Sequence, residues 1–253
     1  MCGSGWTRVG FVSTIVIDSA GDSKLNNIRT ITLDLDDTLW EIHPVIRKAE
    51  TTLYQWLGDN YPRITEQFSR EAMRSLRSEV VAEHADKSHD LTFLRKTVLS
   101  RVAAKAGYAD DFIDDAFQVF DEVRNSVDIF PEVLPALELL ASRFRMIAVT
   151  NGNANLEKIG IDRFFDDTVT AARAGAAKPA RQMFDLAVQV GGAAAGDTLH
   201  VGDHPNYDVD GARLAGLRTV WVNRTNSDWP DDYPKADIEV VHIGELAEQL
   251  CGA

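Results

Sequence analysis

From Pro131 onward, short apolar runs alternate with helix-patterned segments, and this alternation constrains the fold more than any other feature of the chain. "RMIAVTN", "DTVTAARAG", "DTLHVGD" and "RTVWVN" read as strands. "PEVLPALELLASRF", "LEKIGIDRFF", "KPARQMFDLAVQVGG" and "PNYDVDGARLAG" read as the helices between them, the third closed by Gly191 and Gly192. An edge strand, "ADIEVV", and a terminal helix end the series. Strands separated by helices predict a mainly parallel sheet covered on both faces, an α/β fold with a Rossmann-like three-layer core.

The first strand of the series, Thr30 to Leu33, stands apart from the rest. Between them lies a block with amphipathic helical character and no convincing strand. "PVIRKAETTLYQWL", "RITEQFSREAMRSLRSEVVAEH", "LTFLRKTVLSRVAAKAG" and "DDFIDDAFQVFDEVRNSV" predict about four helices, with Pro44 at the first position of the first one. An inserted helical cap domain over 43–125 follows, with the core formed by 28–42 and 126–253 and an N-terminal extension over 1–27.

A net charge of −13 argues against a nucleic-acid partner. No apolar stretch approaches the ~20 residues that span a bilayer. Cys2 and Cys251, at opposite ends, make neither a zinc motif nor a disulfide framework, so a reducing cytoplasm is the expected compartment. The mostly apolar stretch before residue 22 reads as an extra strand or an extension rather than a signal peptide. An anionic substrate remains compatible with this charge if a local cation meets it.

Strand ends supply the candidates. In an open parallel sheet, ligands bind at the carboxyl ends of the strands, near the reversal of strand order. Four such ends are polar: Asp34/Asp36, Thr150/Asn151, the region leading to Lys178, and Asp203. Residues i and i+2 of an extended segment point to one side, so Asp34 and Asp36 are expected to face one ligand, roughly 6–7 Å apart at Cα. Neighbouring carboxylates push their pKa values apart, leaving one to attack phosphorus and the other to protonate a leaving alkoxide. A hard cation such as Mg²⁺ would make the cluster tolerable, with Asp203 completing the carboxylate set. Lys178, Thr150 and the backbone N–H groups around Asn151 and Gly152 would meet a transferring phosphoryl group.

"LDLDDTLW", "VTNGN", "AKP" around Lys178 and "HVGDHPNYD" together resemble, in order, the four motifs of the haloacid dehalogenase superfamily. The resemblance covers residues 29 to 224. It implies that Asp34 is a nucleophile forming an aspartyl-phosphate and that Asp36 is the general acid/base. Asp34, the Asp36 carbonyl and Asp203 would hold Mg²⁺, and Thr150, Asn151 and Lys178 would hold the phosphate. Asp208 would steady the metal shell or Lys178. An insert directly after the first motif resembles the helical cap of the phosphoglycolate phosphatase-like subfamily. The wording around Asp34 and the tail "TVWVNR…WP" resembles phosphatases acting on FMN and a ribityl phosphate.

The expectation is therefore a Mg²⁺-dependent hydrolase of a small phosphomonoester. A phosphomutase or a non-catalytic phosphate-binding module are its rivals. Asp36 disfavours dehalogenation, and "TIVIDSAGD" imitates the first motif without its second carboxylate. The histidines, among them His204, show no metal-ligand spacing. Trp40 and Trp56 are expected in the core. Asp210, Arg47, Arg95 and Lys96 are expected to be solvated charges.

Overall fold

The computed structural model describes residues 27–252. The readings placed on residues 1–26, including Cys2 and Asp18, lie outside the described residues. Six parallel strands form one sheet: β1 (Thr30–Leu33), β2 (Arg145–Thr150), β3 (Asp167–Thr170), β4 (Thr198–Gly202), β5 (Arg218–Val222) and β6 (Ile238–Val240). Their order is β3-β2-β1-β4-β5-β6. The chain winds to one side through β2 and β3, then returns past β1 to lay down β4. The order therefore reverses between β1 and β4, and a crevice opens at their carboxyl ends. Both strands are buried along their whole length, consistent with their continuous apolar character.

Five α-helices follow β1 and form a block of their own: α1 (Ile42–Asn60), α2 (Pro62–Gln67), α3 (Arg70–Glu83), α4 (Leu91–Lys105) and α5 (Ile113–Arg124). They bury their own cluster, with Leu57, Ile64, Val80, Val102 and Ala116 at its centre, which shares no residue with the clusters on the sheet. The two chain crossings between block and sheet run side by side. Phe130 N donates to Leu39 O at 3.0 Å, and Trp40 bridges Ile129.

Helices α6 (Val133–Ala141), α7 (Arg181–Gly191) and α8 (Ile243–Cys251) complete the three layers. Leu137 and Leu140 of α6 join Ile243 and Leu246 of α8 over one sheet face, while Met183 and Phe184 of α7 cover the other.

Local structure departs from the sequence expectation at several points. Helix α1 begins at Ile42, so Pro44 is its third residue; first-turn N–H groups have no intrahelical acceptor, and proline costs little there. The second expected helix is two. Phe68 is extended (φ −125°, ψ 112°), and Ser69 restarts the helix by accepting the Ala72 N–H at 3.2 Å. The segment "LEKIGIDRFF" is interrupted at Gly160, which adopts φ 85°. Strand β3 stops at Thr170, whose hydroxyl accepts the Arg173 N–H and opens a one-turn helix, Ala171–Ala174. The helix after β4 opens with a π-helical turn, Pro205–Asp210.

Candidate active site

Adjacent strands β1 and β4 bring Asp34 and Asp203 together: the Asp34 N–H donates to Val201 O at 2.9 Å, continuing the ladder one residue beyond β1. The Thr38 hydroxyl lies between their carboxylates, 3.3 Å from Asp34 Oδ2 and 3.4 Å from Asp203 Oδ1. One oxygen from each of Asp34, Asp203 and Asp208 falls within 4.8 Å of the others.

Lys178, in the connection that leads into α7, is buried. Its three ammonium protons have three acceptors: Asp34 Oδ1 at 2.5 Å, Asp208 Oδ1 at 2.6 Å and Val149 O at 2.9 Å. Asn151 fixes the lysine's backbone, its Oδ1 accepting Lys178 N at 2.6 Å and its Nδ2 donating to Lys178 O at 3.1 Å. The Asn151 side chain thus positions Lys178, which leaves only its backbone for the expected phosphate contact. Thr150 is buried at the end of β2, and its Oγ1 accepts the Gly152 N–H at 2.9 Å. Asp208 accepts from Lys178 and from the His204 N–H at 3.0 Å, and it pairs with His200 Nε2 at 3.1 Å. Asp208 thus touches Lys178 directly and also lies in the carboxylate cluster, so both of its expected roles stay open. A Cβ on Gly202 would meet Asp208 Cγ at 2.3 Å, so only glycine fits at the end of β4.

Burial dominates the electrostatics. It pushes the Asp34 carboxyl well up against the opposing pull of Lys178, with Asp208 and Asp203 adding to the rise. Burial, then Asp208 and Asp37, raise Asp203 to about 7. Burial would also raise Asp208, yet Lys178 and His200 hold it below the usual carboxylate range. Burial alone would lower Lys178, but Asp208 and Asp34 raise it above the ordinary lysine value, so it stays charged. His200 is lowered by burial and is neutral at pH 7. Carboxylates that disfavour one another's ionisation, arranged as an all-oxygen donor set, fit a hard divalent cation.

Asp36 is held by a different set of partners. Its carboxylate does not join the cluster with Asp34; it takes both contacts of Arg124 Nη2 (2.9 and 2.8 Å) and the Trp40 Nε1 donor (2.9 Å). Strand β1 ends at Leu33, and beyond Asp36 the left-handed φ of 63° at Asp37 turns the chain back, so that the Asp37 N–H donates to Trp40 O at 2.8 Å. Asp36 still borders the phosphate-loop position: a Cβ on Gly152 would lie 2.6 Å from its Oδ2.

Sequence reasoning missed Arg124, Thr38 and His200. Arg124 is 1% exposed, and its Nη1 is buried without a partner among the described residues. A signal existed, since Arg124 continues the apolar stripe of Ile113, Phe117 and Phe120 on α5, where a charge needs a reason. Thr38 was visible inside "LDLDDTLW" without a role, and His200 stands in the apolar run of β4. Trp40 is fully buried, as expected, and Asp210 pairs with Arg213 at 2.8 Å. Lys96 pairs with Asp114 at 2.7 Å, Arg47 is exposed, and Arg95 lies over the Phe120 ring. None of these three joins the strand-end cluster.

The described residues thus place a buried carboxylate cluster and its lysine at the switch point of a parallel sheet, with a helical insert directly after the first strand. The chain belongs to the haloacid dehalogenase-like hydrolase family, whose model matches residues 28–216. It is 28% identical to the 5-amino-6-(5-phospho-D-ribitylamino)uracil phosphatase YigB of Escherichia coli (strain K12), over 88% of this chain and 95% of that protein. It is likewise 28% identical to the phosphoserine phosphatase of Thermus thermophilus, over 87% and 97%. Among solved structures, the 2-haloacid dehalogenase from Pseudomonas syringae pv. tomato DC3000 superposes with a TM-score of 0.84. It shares 36% identity over 88% of this chain and 98% of that one.

Proposed function

We propose that this protein is a Mg²⁺-dependent phosphatase that hydrolyses a small phosphomonoester through an aspartyl-phosphate on Asp34. The observation that carries the reading is the contact of Asp34 with Lys178 Nζ at 2.5 Å, beside Asp203 on the neighbouring strand end. An Asp34 oxygen attacks phosphorus, forming an O–P bond as the ester O–P bond breaks; the leaving alkoxide takes a proton from Asp36. Water then attacks the phosphoryl group, giving its proton to Asp36, and Asp34 is released with inorganic phosphate. Lys178 and the Thr150 hydroxyl neutralise the phosphoryl oxygens, and Asn151 keeps Lys178 in place. Asp34, Asp203 and the Asp36 carbonyl would hold Mg²⁺, which supplies electrostatic stabilisation of the charge on the transferring group.

The helical block acts as the cap in this reading, excluding water from the first half-reaction. A cavity of about 590 Å³ opens where Leu91, Thr92 and Phe117 of the block meet Asn153 and Thr168 of the core. Its wall takes in Gly152 but none of Asp34, Asp36, Lys178 or Asp203, so in this reading it would hold the part of a sugar-, nucleotide- or flavin-type substrate away from the phosphate. YigB's ribityl phosphate belongs to that range. No described helix is long and apolar enough to cross a membrane, and Cys251 is a buried free thiol; cytoplasmic residence agrees with both.

The likeness to a 2-haloacid dehalogenase favours a second reading, halide displacement from carbon by Asp34. That chemistry has no need of Asp36 or of a metal beside Asp203. Phosphate and halide release from phosphomonoesters and a 2-halo acid, with and without Mg²⁺, separates the two. Phosphate release that requires Mg²⁺ and falls at least ~10³-fold in Asp34→Asn is expected. Halide release, or phosphate release surviving in the variant, overturns the proposal.

A further inference from the structure

Trp221 is the largest side chain of β5, and it faces away from the cluster that its neighbours join. Val220 and Val222 pack with α6 and α8, and alternation turns Trp221 to the opposite face. Trp221 is buried, and a buried indole needs an acceptor for its N–H. That acceptor is the Asp203 carbonyl, at 2.7 Å. Strand β4 ends at Gly202, which pairs with Trp221, so the Asp203 carbonyl lies one residue past the last rung of this ladder. The indole takes the place of a strand partner there.

The same peptide unit is held at its other end, because the His204 N–H donates to Asp208 Oδ2 at 3.0 Å. A peptide unit is planar, so hydrogen bonds to both its C=O and its N–H fix its rotation, and with it the direction in which Asp203 leaves the strand. Asp208 also accepts from Lys178 at 2.6 Å, which ties this clamp to the lysine that touches Asp34. Trp229, from the segment after β5, backs the clamp. Its ring meets that of Trp221 edge to face, with 4.9 Å between centroids and 83° between planes. Its own N–H donates to Tyr233 O at 2.7 Å, so toward Trp221 it offers packing only.

We infer that Trp221 is a positioning residue for the strand-end carboxylates: its indole N–H, opposite Asp208, sets the direction in which Asp203 presents its carboxylate to a divalent cation. This role rests on the proposed reading of Asp203 as a ligand of Mg²⁺. It adds a residue from a third strand that acts through the main chain of Asp203 and not on the cation itself. Partners that orient a metal-ligating side chain typically account for about 10–100-fold in metal affinity. Trp221 acts one step further back, so the lower end of that range is expected.

The test is calorimetric titration of Mg²⁺ into the full chain, without substrate, for wild type, Trp221→Phe and Trp229→Phe. Both variants trade an indole for a smaller ring, but only the first removes the bond to Asp203. Trp221→Phe should weaken Mg²⁺ binding about tenfold, whereas Trp229→Phe should stay close to wild type even where urea unfolding shows both variants destabilised alike. A second reading needs no variant. In wild type, the Trp221 indole N–H resonance, assigned through its contact with the Trp229 ring, should resist solvent exchange and shift on saturation with Mg²⁺. Equal Mg²⁺ affinity in wild type and Trp221→Phe, equal weakening in both variants, or an unmoved Trp221 resonance overturns the inference. Absence of Mg²⁺ binding to wild type overturns the metal reading itself, and this role with it. Neither measurement uses turnover, so a failed phosphatase assay would not imitate a failed clamp.

Discussion

The contact between Asp36 and Arg124 joins the turn after β1 to the last residue of α5, and its strength can be measured by a double-mutant cycle. The two oxygens of Asp36 lie 2.9 and 2.8 Å from Arg124 Nη2. Charges about 4 Å apart attract by ~4 kcal/mol at an effective dielectric of ~20. The Arg124 side chain is 1% exposed but that of Asp36 is 21% exposed, so water screens part of this. A coupling of about 2–3 kcal/mol is therefore expected. Asp36→Asn, Arg124→Met and the double variant would be compared by urea unfolding without metal. Arg124→Met alone should be costly because it strands a carboxylate, whereas the double variant should recover much of the loss. A coupling below ~0.5 kcal/mol would show that the pair is a surface-like contact and that Arg124 is buried for another reason.

Further outcomes follow from the same geometry. Gly202→Ala should displace Asp208, because the new Cβ would meet its Cγ at 2.3 Å. A destabilisation of about 1–3 kcal/mol, with loss of phosphate release, is expected by urea unfolding and assay, and wild-type behaviour would refute the close approach. Asp203, raised to about 7 by burial and by Asp208 and Asp37, makes metal-free stability pH-dependent. The fold keeps a proton that the unfolded chain releases near pH 4, so this contribution is full below that value and is lost as pH rises through 7. In EDTA, wild type should lose stability relative to Asp203→Asn between pH 5 and 8, and Mg²⁺ should stabilise wild type more at pH 8 than at pH 5. Parallel pH curves for the two proteins would contradict the assignment.

The parts of the fold legible in sequence are those set by short-range pattern. The strands after Pro131 announce themselves as apolar runs between helices, and the order reversal places Asp34 and Asp203 beside each other. Asp34, Thr150, Lys178 and Asp203 were therefore readable as one region although far apart in sequence. Breaks inside helical pattern were not, because extended Phe68 ends one helix and Ser69 starts the next through a single hydroxyl contact that leaves the apolar spacing intact. The direction of Asp36 was illegible for a similar reason. Alternation holds only while the chain stays in a strand, and β1 ends at Leu33, before both aspartates. Arg124 lies 88 residues from Asp36, so only its place on the apolar stripe of α5 hinted at a buried partner.

Charge counting explains why so many aspartates are tolerated around one strand end. Asp34, Asp203 and Asp208 bring three negative charges, and Lys178 returns one positive charge, leaving two. His200 is lowered by burial and adds none. Asp36, the remaining acid of the pair, is matched separately by Arg124. The uncompensated charge of the cluster is thus that of one divalent cation, and without it burial raises Asp34 and Asp203 together. A bound cation reverses that rise, since a nearby positive charge favours the ionised form. In the proposed mechanism, the ion that would make the cluster tolerable would also leave Asp34 an anion able to attack, while Asp36 is paired with Arg124 instead.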